Sequence, residues 1–360
     1  MPFVHTPSAP LAALGWRDDL PAAAALASMP PGRLARVAAQ HRSGYRVSVG
    51  DGEFAVQPPA AWLRRRIDPE LRAAVGDWVW LAADEDVIHA CLPRHSLLRR
   101  GAAGEHYGRQ LIAANIDTVL VVAGLDGDFN PRRLERYLLL TRDSGAATVI
   151  VLTKADLCPD LPARLAALDG LRAQGVPIVT INARETASAA ALSAWTGPGQ
   201  SLVLVGSSGT GKSTLTNCLL GIERQKTADV RQTDSRGRHT TTHRSLIALP
   251  GGGCLIDTPG MRELKPTGDE DLAEGGFEDV EALAADCRFR DCAHQAEPGC
   301  AVRKALQRGE LDGARLANYL KLRGELAQAG AVIVQRARRA AQPAGRRPER
   351  REIEPDSQEH

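Results

Sequence analysis

The chain has 360 residues, of which 43% are hydrophobic and 24% are charged, and its formal net charge is only +2. This length and composition indicate a soluble, globular protein of two or three domains and leave no whole-chain charge to attract nucleic acid, so any basic surface must be local. No apolar run approaches the roughly 20 residues that span a bilayer, and a cytoplasmic protein without a membrane partner is expected.

The first third of the chain divides into a leader and a small β-domain. Residues 1–31 are rich in Ala and Pro without sustained periodicity, which predicts a disordered leader. Over residues 32–103, five short apolar runs separated by glycine-containing turns favour an OB-fold β-barrel, although any small barrel or β-meander would show this spacing. The runs are Leu34–Ala38, Tyr45–Val49, Glu53–Val56, Val75–Leu81 and Val87–Leu92.

From residue 104 to residue 270, strands alternate with helices. The strands are apolar without polar alternation, which is typical of a parallel sheet covered on both faces and predicts a central α/β domain. The predicted strands are Ile116–Ala123, Thr148–Leu152, Val176–Ile181, Ser201–Val205 and Cys254–Ile256, and the predicted helices are Pro131–Ser144, Ala163–Gln174 and Lys212–Leu220. Residues 271–330 are expected to form a mostly helical domain, and residues 331–360 a disordered charged tail.

A phosphate-binding loop follows the predicted strand Ser201–Val205. The segment Gly206-Ser207-Ser208-Gly209-Thr210-Gly211-Lys212-Ser213-Thr214 matches the P-loop pattern GxxxxGKS/T in its required place between a strand and a helix. Its backbone amides are expected to face phosphates at a helix N-terminus. Lys212 is predicted to contact the β- and γ-phosphates as a catalytic residue, and Ser213 to bind Mg²⁺. The alternative is a glycine-rich turn that binds nothing.

A second element, upstream of the loop, points to guanine. Thr153-Lys154-Ala155-Asp156 follows a predicted strand and is a variant of the NKxD motif. A carboxylate at Asp156 can accept hydrogen bonds from guanine N1–H and the N2 amine, a donor pair that adenine lacks, and Lys154 can lay its apolar stem on the purine. Asp156 could instead cap the next helix. Asn182 and Ala183 follow the next strand, where a GTPase places a backbone amide against guanine O6.

Two further elements lie downstream of the loop. Asp257-Thr258-Pro259-Gly260 fits DxxG, with Asp257 holding Mg²⁺ through water and the Gly260 amide sensing the γ-phosphate. Before it, a mobile switch is expected to supply a threonine to Mg²⁺, with Thr240 the first choice and Thr241 the second. These β-branched residues could instead merely begin a strand.

Hydrolysis requires a group that orients water. The position after DxxG is Met261, which cannot do this, so His239 is the candidate catalytic residue. A surface histidine beside a mobile loop is an equally good interpretation.

Three of the seven cysteines cluster with a histidine. Cys287, Cys292, His294 and Cys300 supply three sulfurs and one imidazole, the ligand set of a closed structural zinc site. Chance clustering is the alternative. The remaining cysteines lie in apolar contexts and are expected in cores: Cys91, Cys158, Cys218 and Cys254.

Together these motifs resemble the bacterial ribosome small subunit-dependent GTPase A family, whose members are circularly permuted GTPases. The resemblance covers roughly residues 33–326 and implies an N-terminal OB-fold, a permuted GTPase domain and a C-terminal zinc domain. It also implies one Zn²⁺, Mg²⁺ with GTP, and a role in late maturation of the 30S subunit through 16S rRNA, with GTP hydrolysis stimulated by that subunit. A monomer is expected. The motifs that carry the resemblance are Ala113–Asp117, Thr153–Asp156, Gly206–Thr214, Gly237–Thr242, Asp257–Gly260 and the cysteine-histidine cluster.

The chain departs from this family at Thr153, where asparagine is more usual. A threonine hydroxyl can still bond to the phosphate loop or the purine, but it has fewer hydrogen-bonding groups than an amide. Two other functions remain open: an RNA-binding module that holds GTP with little hydrolysis, which Met261 and Thr153 would permit, and a P-loop kinase or ATPase, which would require adenine selectivity.

Overall fold

The computed structural model describes residues 9–41, 44–64, 67–83, 85–101, 109–222, 244–258, 264–268 and 270–341. The strands are β1 (Gly32–His41), β2 (Gly44–Ser48), β3 (Glu53–Val56), β4 (Trp78–Ala82), β5 (Ile88–Cys91), β6 (Leu97–Gly101), β7 (Arg109–Ala114), β8 (Thr118–Gly124), β9 (Ala147–Thr153), β10 (Ile178–Thr180), β11 (Ser201–Val205), β12 (Ser245–Ala248) and β13 (Cys254–Asp257). The helices are α1 (Ala9–Ala12), α2 (Pro21–Leu26), α3 (Pro131–Arg142), α4 (Leu161–Ala166), α5 (Asp169–Ala173), α6 (Ser193–Thr196), α7 (Lys212–Leu220), α8 (Glu278–Ala285), α9 (Ala301–Gln307) and α10 (Gly313–Ala341). Within these ranges, no helix is both long enough and apolar enough to cross a membrane.

The five short strands predicted near the N-terminus are all present, and they pair around a common core. β1 pairs with β2 and with β4, β2 pairs with β3, and β4 pairs with β5, all antiparallel. A parallel bridge between Gln57 and Val87 connects the end of β3 to the beginning of β5. The pairing order is therefore β1-β2-β3-β5-β4, closing on β1. Val37, Val47 and Ile88 are fully buried between these strands.

The central sheet has the order β10-β9-β8-β11-β13-β12. The first five strands are parallel, as predicted, whereas β12 is antiparallel to β13 and was not predicted. Apolar side chains of alternate residues pack on opposite faces, so that Val119 and Val121 belong to one core and Leu120 and Val122 to another. The predicted helix Ala163–Gln174 is wrong as a single helix, because the chain turns at the fully buried Leu168 to begin α5.

The prediction of a disordered leader is wrong for residues 9–31. Leu11, Leu14, Trp16 and Leu20 are buried, and the Trp16 ring packs edge-to-face on Trp78 at 4.8 Å between centroids. Burial of these large apolar side chains offsets the entropy that the segment loses on ordering. The high Ala and Pro content of the segment led to the wrong prediction, because it drew attention away from these few large residues. Residues 1–8 lie outside the described ranges.

Two predicted boundaries also require correction. β6 pairs with β7, so this hairpin crosses the boundary predicted between residues 103 and 104. At the other end, α10 continues to Ala341, beyond the predicted start of a disordered tail at residue 331. This stretch still carries Val332, Ile333 and Val334, and the Ala, Gln and Arg residues that follow have high helix propensity, which favours continuation of the helix. Residues 342–360 lie outside the described part.

The last described segment is mostly helical, as predicted, and has its own core. Phe277 and Val280 pack against Val302 of α9 and Tyr319 and Leu322 of α10, all of them buried. This unit surrounds the cysteine-histidine cluster and contacts the central domain mainly through α3.

Candidate nucleotide and metal sites

The predicted nucleotide-binding elements meet at one edge of the central sheet. The parallel strands β8, β9, β10, β11 and β13 all end there. Thr153 ends β9, Gly206 follows β11 and Asp257 ends β13. In sheets of this kind ligands bind beyond the carboxyl ends of the strands. Elements that are far apart in the chain therefore line one site.

The phosphate loop has the backbone conformation that its glycines allow. Gly206 has φ +148°, and a Cβ placed there would lie 2.3 Å from the carbonyl oxygen of Val122. Gly209 and Gly211 have φ values of +81° and +89°, which L side chains rarely adopt. Immediately after Gly211, α7 begins, so the loop amides lie at a helix N-terminus where anions are favoured.

Lys212, the first residue of α7, lies within this loop. Its Nζ donates to the carbonyl oxygen of Gly206 at 2.7 Å and to that of Ser207. Desolvation by burial lowers the pKa of Lys212 to about 8. Ser208 and Ser213 are exposed around it, while Thr210 is buried and donates through Oγ1 to Ser207 O at 3.0 Å. The loop therefore presents a partly desolvated cation and exposed hydroxyls at one place.

Thr153 ties the guanine element to the phosphate loop. Its side chain is buried, and its Oγ1 donates to the carbonyl oxygen of Thr210 at 2.6 Å. The same oxygen lies 3.3 Å from the carbonyl oxygen of Ala123 at the end of β8. The hydroxyl thus contacts the loop directly.

Lys154 and Asp156 differ in their surroundings. Lys154 adopts a left-handed conformation with φ 61°, and its Nζ donates to Gly209 O at 2.7 Å and to the Asp126 carboxylate. Asp156 lies in the 3₁₀ turn Ala155–Leu157 with an exposed side chain. Helix α4 is capped by Asp160, whose carboxylate accepts from Ala163 N at 3.0 Å. The alternative in which Asp156 caps that helix is therefore wrong.

The segment after β10 lies beside the guanine element. Ala155 N donates to Ile181 O at 3.4 Å, which joins the two loops. The Asn182 side chain is used within its own turn, since its Nδ2 donates to Glu185 Oε1 at 2.7 Å. Ala183 is buried, with 7% exposure.

The elements expected around the γ-phosphate are only partly described. Asp257 lies half-buried at the end of β13, opposite Ser245 of β12. His239, Thr240, Thr241, Gly260 and Met261 lie outside the described residues. Their predicted roles stay predictions.

Sequence reasoning missed the loop between β8 and α3 and the first turn of α3, which contact Lys154 and the phosphate loop respectively. Besides the Asp126–Lys154 pair, Arg133 Nη1 donates to Ser207 Oγ at 3.2 Å while its guanidinium pairs with Asp128. Desolvation is the largest single influence and acts to raise the pKa of Asp126, but the hydrogen bonds from Lys154 and from the backbone of Asp128, together with the charge of Lys154, lower the pKa overall. A signal existed: both acids directly follow a buried strand at the edge where the other motifs lie.

The four predicted metal ligands come together. The candidate ligand atoms of Cys287, Cys292, His294 and Cys300 all lie within 4.8 Å of one another. His294 Nδ1 lies 3.7 Å from Cys287 Sγ and 3.5 Å from Cys300 Sγ, and the latter two sulfurs are 3.9 Å apart. This arrangement could hold a metal ion. Among the other cysteines, Cys218 and Cys254 are buried as predicted, and Cys91 and Cys158 are half-buried.

The surroundings of the cluster act in opposite directions on two of its thiols: desolvation and the neighbouring Cys300 and Cys287 sulfurs raise the pKa of Cys292 to about 11, whereas the pKa of Cys287 is lowered. Cys300 is the N-cap of α9 and accepts from Arg303 N at 3.4 Å. Desolvation acts to raise the pKa of Cys287, but hydrogen bonds from the backbone of Val302 and Ala301 lower it. The thiolate is the form that binds metals. On the other side, Arg323 of α10 donates to Cys292 O at 3.1 Å and fixes the loop to that helix.

Comparison with known proteins identifies the family. A family model described as RsgA GTPase matches residues 91–267, which include every nucleotide-binding motif and end before the metal cluster. A protein named small ribosomal subunit biogenesis GTPase RsgA, from Xanthomonas axonopodis pv. citri, is 57% identical over 324 residues, or 90% of this chain and 89% of the relative. The chain belongs to the RsgA GTPase family. An RsgA of Xanthomonas campestris pv. campestris extends the match, with 55% identity over 93% of this chain and 92% of the relative.

Solved structures agree with the RsgA assignment. YjeQ from Thermotoga maritima has 25% identity and a TM-score of 0.57, covering 82% of this chain and 99% of that protein. YloQ, described as a circularly permuted GTPase, has 21% identity and a TM-score of 0.56 over 84% of this chain and 96% of its own, and it shows the fold alone. The resemblance inferred from the motifs is confirmed, and the protein is a GTPase. The kinase or ATPase alternative is wrong.

Proposed function

We propose that this RsgA-family protein hydrolyses GTP to GDP and phosphate as a nucleotide-dependent switch in late maturation of the small ribosomal subunit. The names of its relatives support the ribosomal role. The observation that carries the nucleotide assignment is the meeting of the phosphate loop and the guanine element, joined by the hydrogen bond from Thr153 Oγ1 to Thr210 O at 2.6 Å. In this proposal the protein acts as a cytoplasmic monomer, binds 16S rRNA and is stimulated by the small subunit.

Different site residues contact the guanine base, the phosphates and Mg²⁺ in this proposal. Asp156, exposed at the rim, accepts from guanine N1–H and N2, and the Ala183 amide donates to guanine O6. Lys212 and the loop amides bind the phosphates, and Ser213 and Asp257 would hold Mg²⁺, which neutralises charge on the phosphate oxygens. In this proposal Thr240, or as second choice Thr241, supplies the switch threonine to Mg²⁺, the Gly260 amide senses the γ-phosphate, and His239 orients the attacking water.

Replacing Asp156 with asparagine should change the preferred base from guanine to xanthine. Xanthine keeps N1–H but carries a carbonyl instead of the N2 amine, so an amide that accepts and donates complements it, whereas a carboxylate does not. We expect GDP to bind about a hundredfold more weakly, since the hydrogen bond from N2 is lost and the bond from N1–H no longer ends on a charged oxygen, and XDP to bind more tightly than to the unchanged protein. Competition of both nucleotides against fluorescent GDP measures this.

The matched control for that experiment is Asp169→Asn. Asp169 is exposed at the beginning of α5 and pairs with Arg172 within the same helix. This variant should keep the original base preference. An Asp156→Asn variant that binds GDP normally would contradict the assignment of Asp156.

We further propose that the metal is a single structural Zn²⁺. Tetrahedral zinc with ligand distances of about 2.3 Å to sulfur and about 2.0 Å to nitrogen places two sulfurs about 3.8 Å apart and sulfur and nitrogen about 3.5 Å apart. The observed separations of 3.9 Å between Cys287 and Cys300 Sγ and 3.5 Å between Cys300 Sγ and His294 Nδ1 fit this geometry. Four protein ligands leave no position for a substrate, so the ion would stabilise the fold.

The domain layout is part of the same proposal: a barrel over residues 32–103, a permuted GTPase domain over 104–270 and a zinc domain over 271–330. The pairing order β1-β2-β3-β5-β4, with its parallel contact between β3 and β5, supports an OB-fold for the barrel. In this proposal the barrel and the zinc domain bind rRNA. Measurement of GTP turnover with purified ribosomal subunits tests the ribosomal part.

A further inference from the structure

The β8–α3 loop places a carboxylate where it can control the lysine of the guanine element. Asp126 is the second residue after β8, and its Oδ2 accepts a hydrogen bond from Lys154 Nζ. The same ammonium donates to the carbonyl oxygen of Gly209, the fourth residue of the phosphate loop, at 2.7 Å. Lys154 thus bridges an acid from one loop and the backbone of another.

We propose that Asp126 is a positioning residue of the nucleotide site, which holds Lys154 in the conformation that receives the purine. This inference rests on the proposed assignment of residues 153–156 to guanine. Asp126 acts through Lys154 and does not itself touch the nucleotide.

The position of Asp126 is itself well determined. Its Oδ1 accepts from Asp128 N at 3.2 Å, and the next residue back, Leu125, donates through its backbone N to Thr153 O at 2.9 Å. The loop that carries the acid is therefore hydrogen-bonded to the strand end that carries the lysine. Side-chain movement, rather than movement of the backbone, would be needed to separate the pair.

Lys154 needs such a partner because its side chain is long and partly exposed. Four rotatable bonds would let a free lysine in solvent sample many conformations, and binding a purine against its stem would remove that freedom. A charge-assisted hydrogen bond selects one conformation before the nucleotide arrives. The side chains of Lys154 and Asp126 are 29% and 36% exposed, so solvent weakens the pair without abolishing it.

The need is greater in this chain because Thr153 offers a single hydroxyl. That hydroxyl donates its single proton to Thr210 O, so Thr153 has no further side-chain donor for the purine. The bridge from Asp126 through Lys154 to Gly209 O is a second connection between the guanine element and the phosphate loop. Asp126 therefore takes over part of the positioning that an amide at residue 153 would supply.

Asp126→Asn is the most informative variant. Asparagine keeps an oxygen for the bond from Asp128 N, so the loop should stay folded, but it removes the negative charge facing Lys154. We expect dissociation constants for GDP and GTP to rise about tenfold, the strength of one charge-assisted hydrogen bond. KM for GTP should rise by the same factor, with kcat at saturating GTP nearly unchanged. Asp169→Asn is the control and should alter neither.

A double-mutant cycle with Lys154→Ala separates positioning from a general structural effect. If Asp126 acts through Lys154, the double variant Asp126→Asn/Lys154→Ala should bind GDP no more weakly than Lys154→Ala alone. If the double variant instead loses GDP affinity by the product of the two single-variant factors, the inference is overturned. Normal GDP binding by Asp126→Asn would overturn it as well. If Lys154→Ala itself binds GDP normally, the assignment of Lys154 to the guanine site fails as well, which distinguishes the two failures.

Discussion

Replacing Lys212 with alanine is expected to lower the rate of GTP hydrolysis at least about a hundredfold, the usual loss when a preorganised group facing developing charge is removed. In the structure its Nζ donates only to backbone carbonyls, those of Gly206 and Ser207, among the described residues. An ammonium placed this way is ready to exchange neutral oxygens for charged phosphate oxygens. Single-turnover hydrolysis measured at saturating GTP checks the prediction. Lys321→Ala, at an exposed position of α10, is the control.

The lowered pKa of Lys212 makes both the affinity for GDP and the free energy of unfolding depend on pH. Because burial lowers its pKa to about 8, the lysine loses its proton in the nucleotide-free protein as the pH rises through 8. Phosphates bind the protonated form, so affinity for GDP should fall above pH 8. In the unfolded chain the lysine keeps its proton to about pH 10.4. Between pH 8 and pH 10.4 the unfolded chain therefore binds more protons at this lysine than the folded protein does, so the free energy of unfolding rises with pH over this range. Lys212→Ala should lose both effects, and an unchanged GDP profile would contradict the account.

Removing the metal is expected to unfold the C-terminal unit while leaving the GTPase domain folded. Cys292 and Cys300 belong to the same buried core as Tyr319 and Leu322, so this core and the cluster depend on each other. Structural zinc contributes on the order of 10 kcal/mol in small metal-dependent units, and losing even a third of this would lower the melting temperature of such a unit by more than about 10 °C. Cys292→Ser, or treatment with 1,10-phenanthroline, should produce this loss.

Thermal unfolding, hydrogen exchange over residues 287–326 and elemental analysis together measure the effect. The unchanged protein should contain one zinc per chain, and Cys292→Ser much less. Cys158→Ser is the matched control, since Cys158 is half-buried and far along the chain from the cluster. A Cys292→Ser variant with full zinc content and unchanged hydrogen exchange would show that the four residues do not form the site.

Short-range patterns predicted most of the nucleotide-binding edge. The phosphate loop and the guanine element each follow a continuously apolar strand, and parallel strands end at a common edge, so Thr153, Gly206 and Asp257 had to lie near one another. The spacing of the three cysteines and the histidine was equally informative. Because all four residues lie within one short segment, few conformations of that segment other than a loop around a metal ion would bring them together.

Contacts between distant segments were not predictable in the same way. Residues 9–31 adopt an ordered structure partly because Trp16 packs against Trp78. No pattern within residues 9–31 predicts that partner. The Asp126–Lys154 pair joins residues 28 positions apart, and either residue alone resembles an ordinary surface charge. The hairpin of β6 and β7 was missed because the apolar residues of each strand follow one another instead of alternating with polar ones, as in Leu97-Leu98 of β6 and Leu111–Ala114 of β7.

GTP hydrolysis coupled to the small ribosomal subunit is tested most directly by measuring GTP turnover with purified small subunits, large subunits or neither. We predict slow turnover alone, an increase of at least about tenfold with small subunits only, and no increase for Lys212→Ala under any condition. Stimulation by neither subunit, or equal stimulation by both, would contradict the ribosomal part of the account.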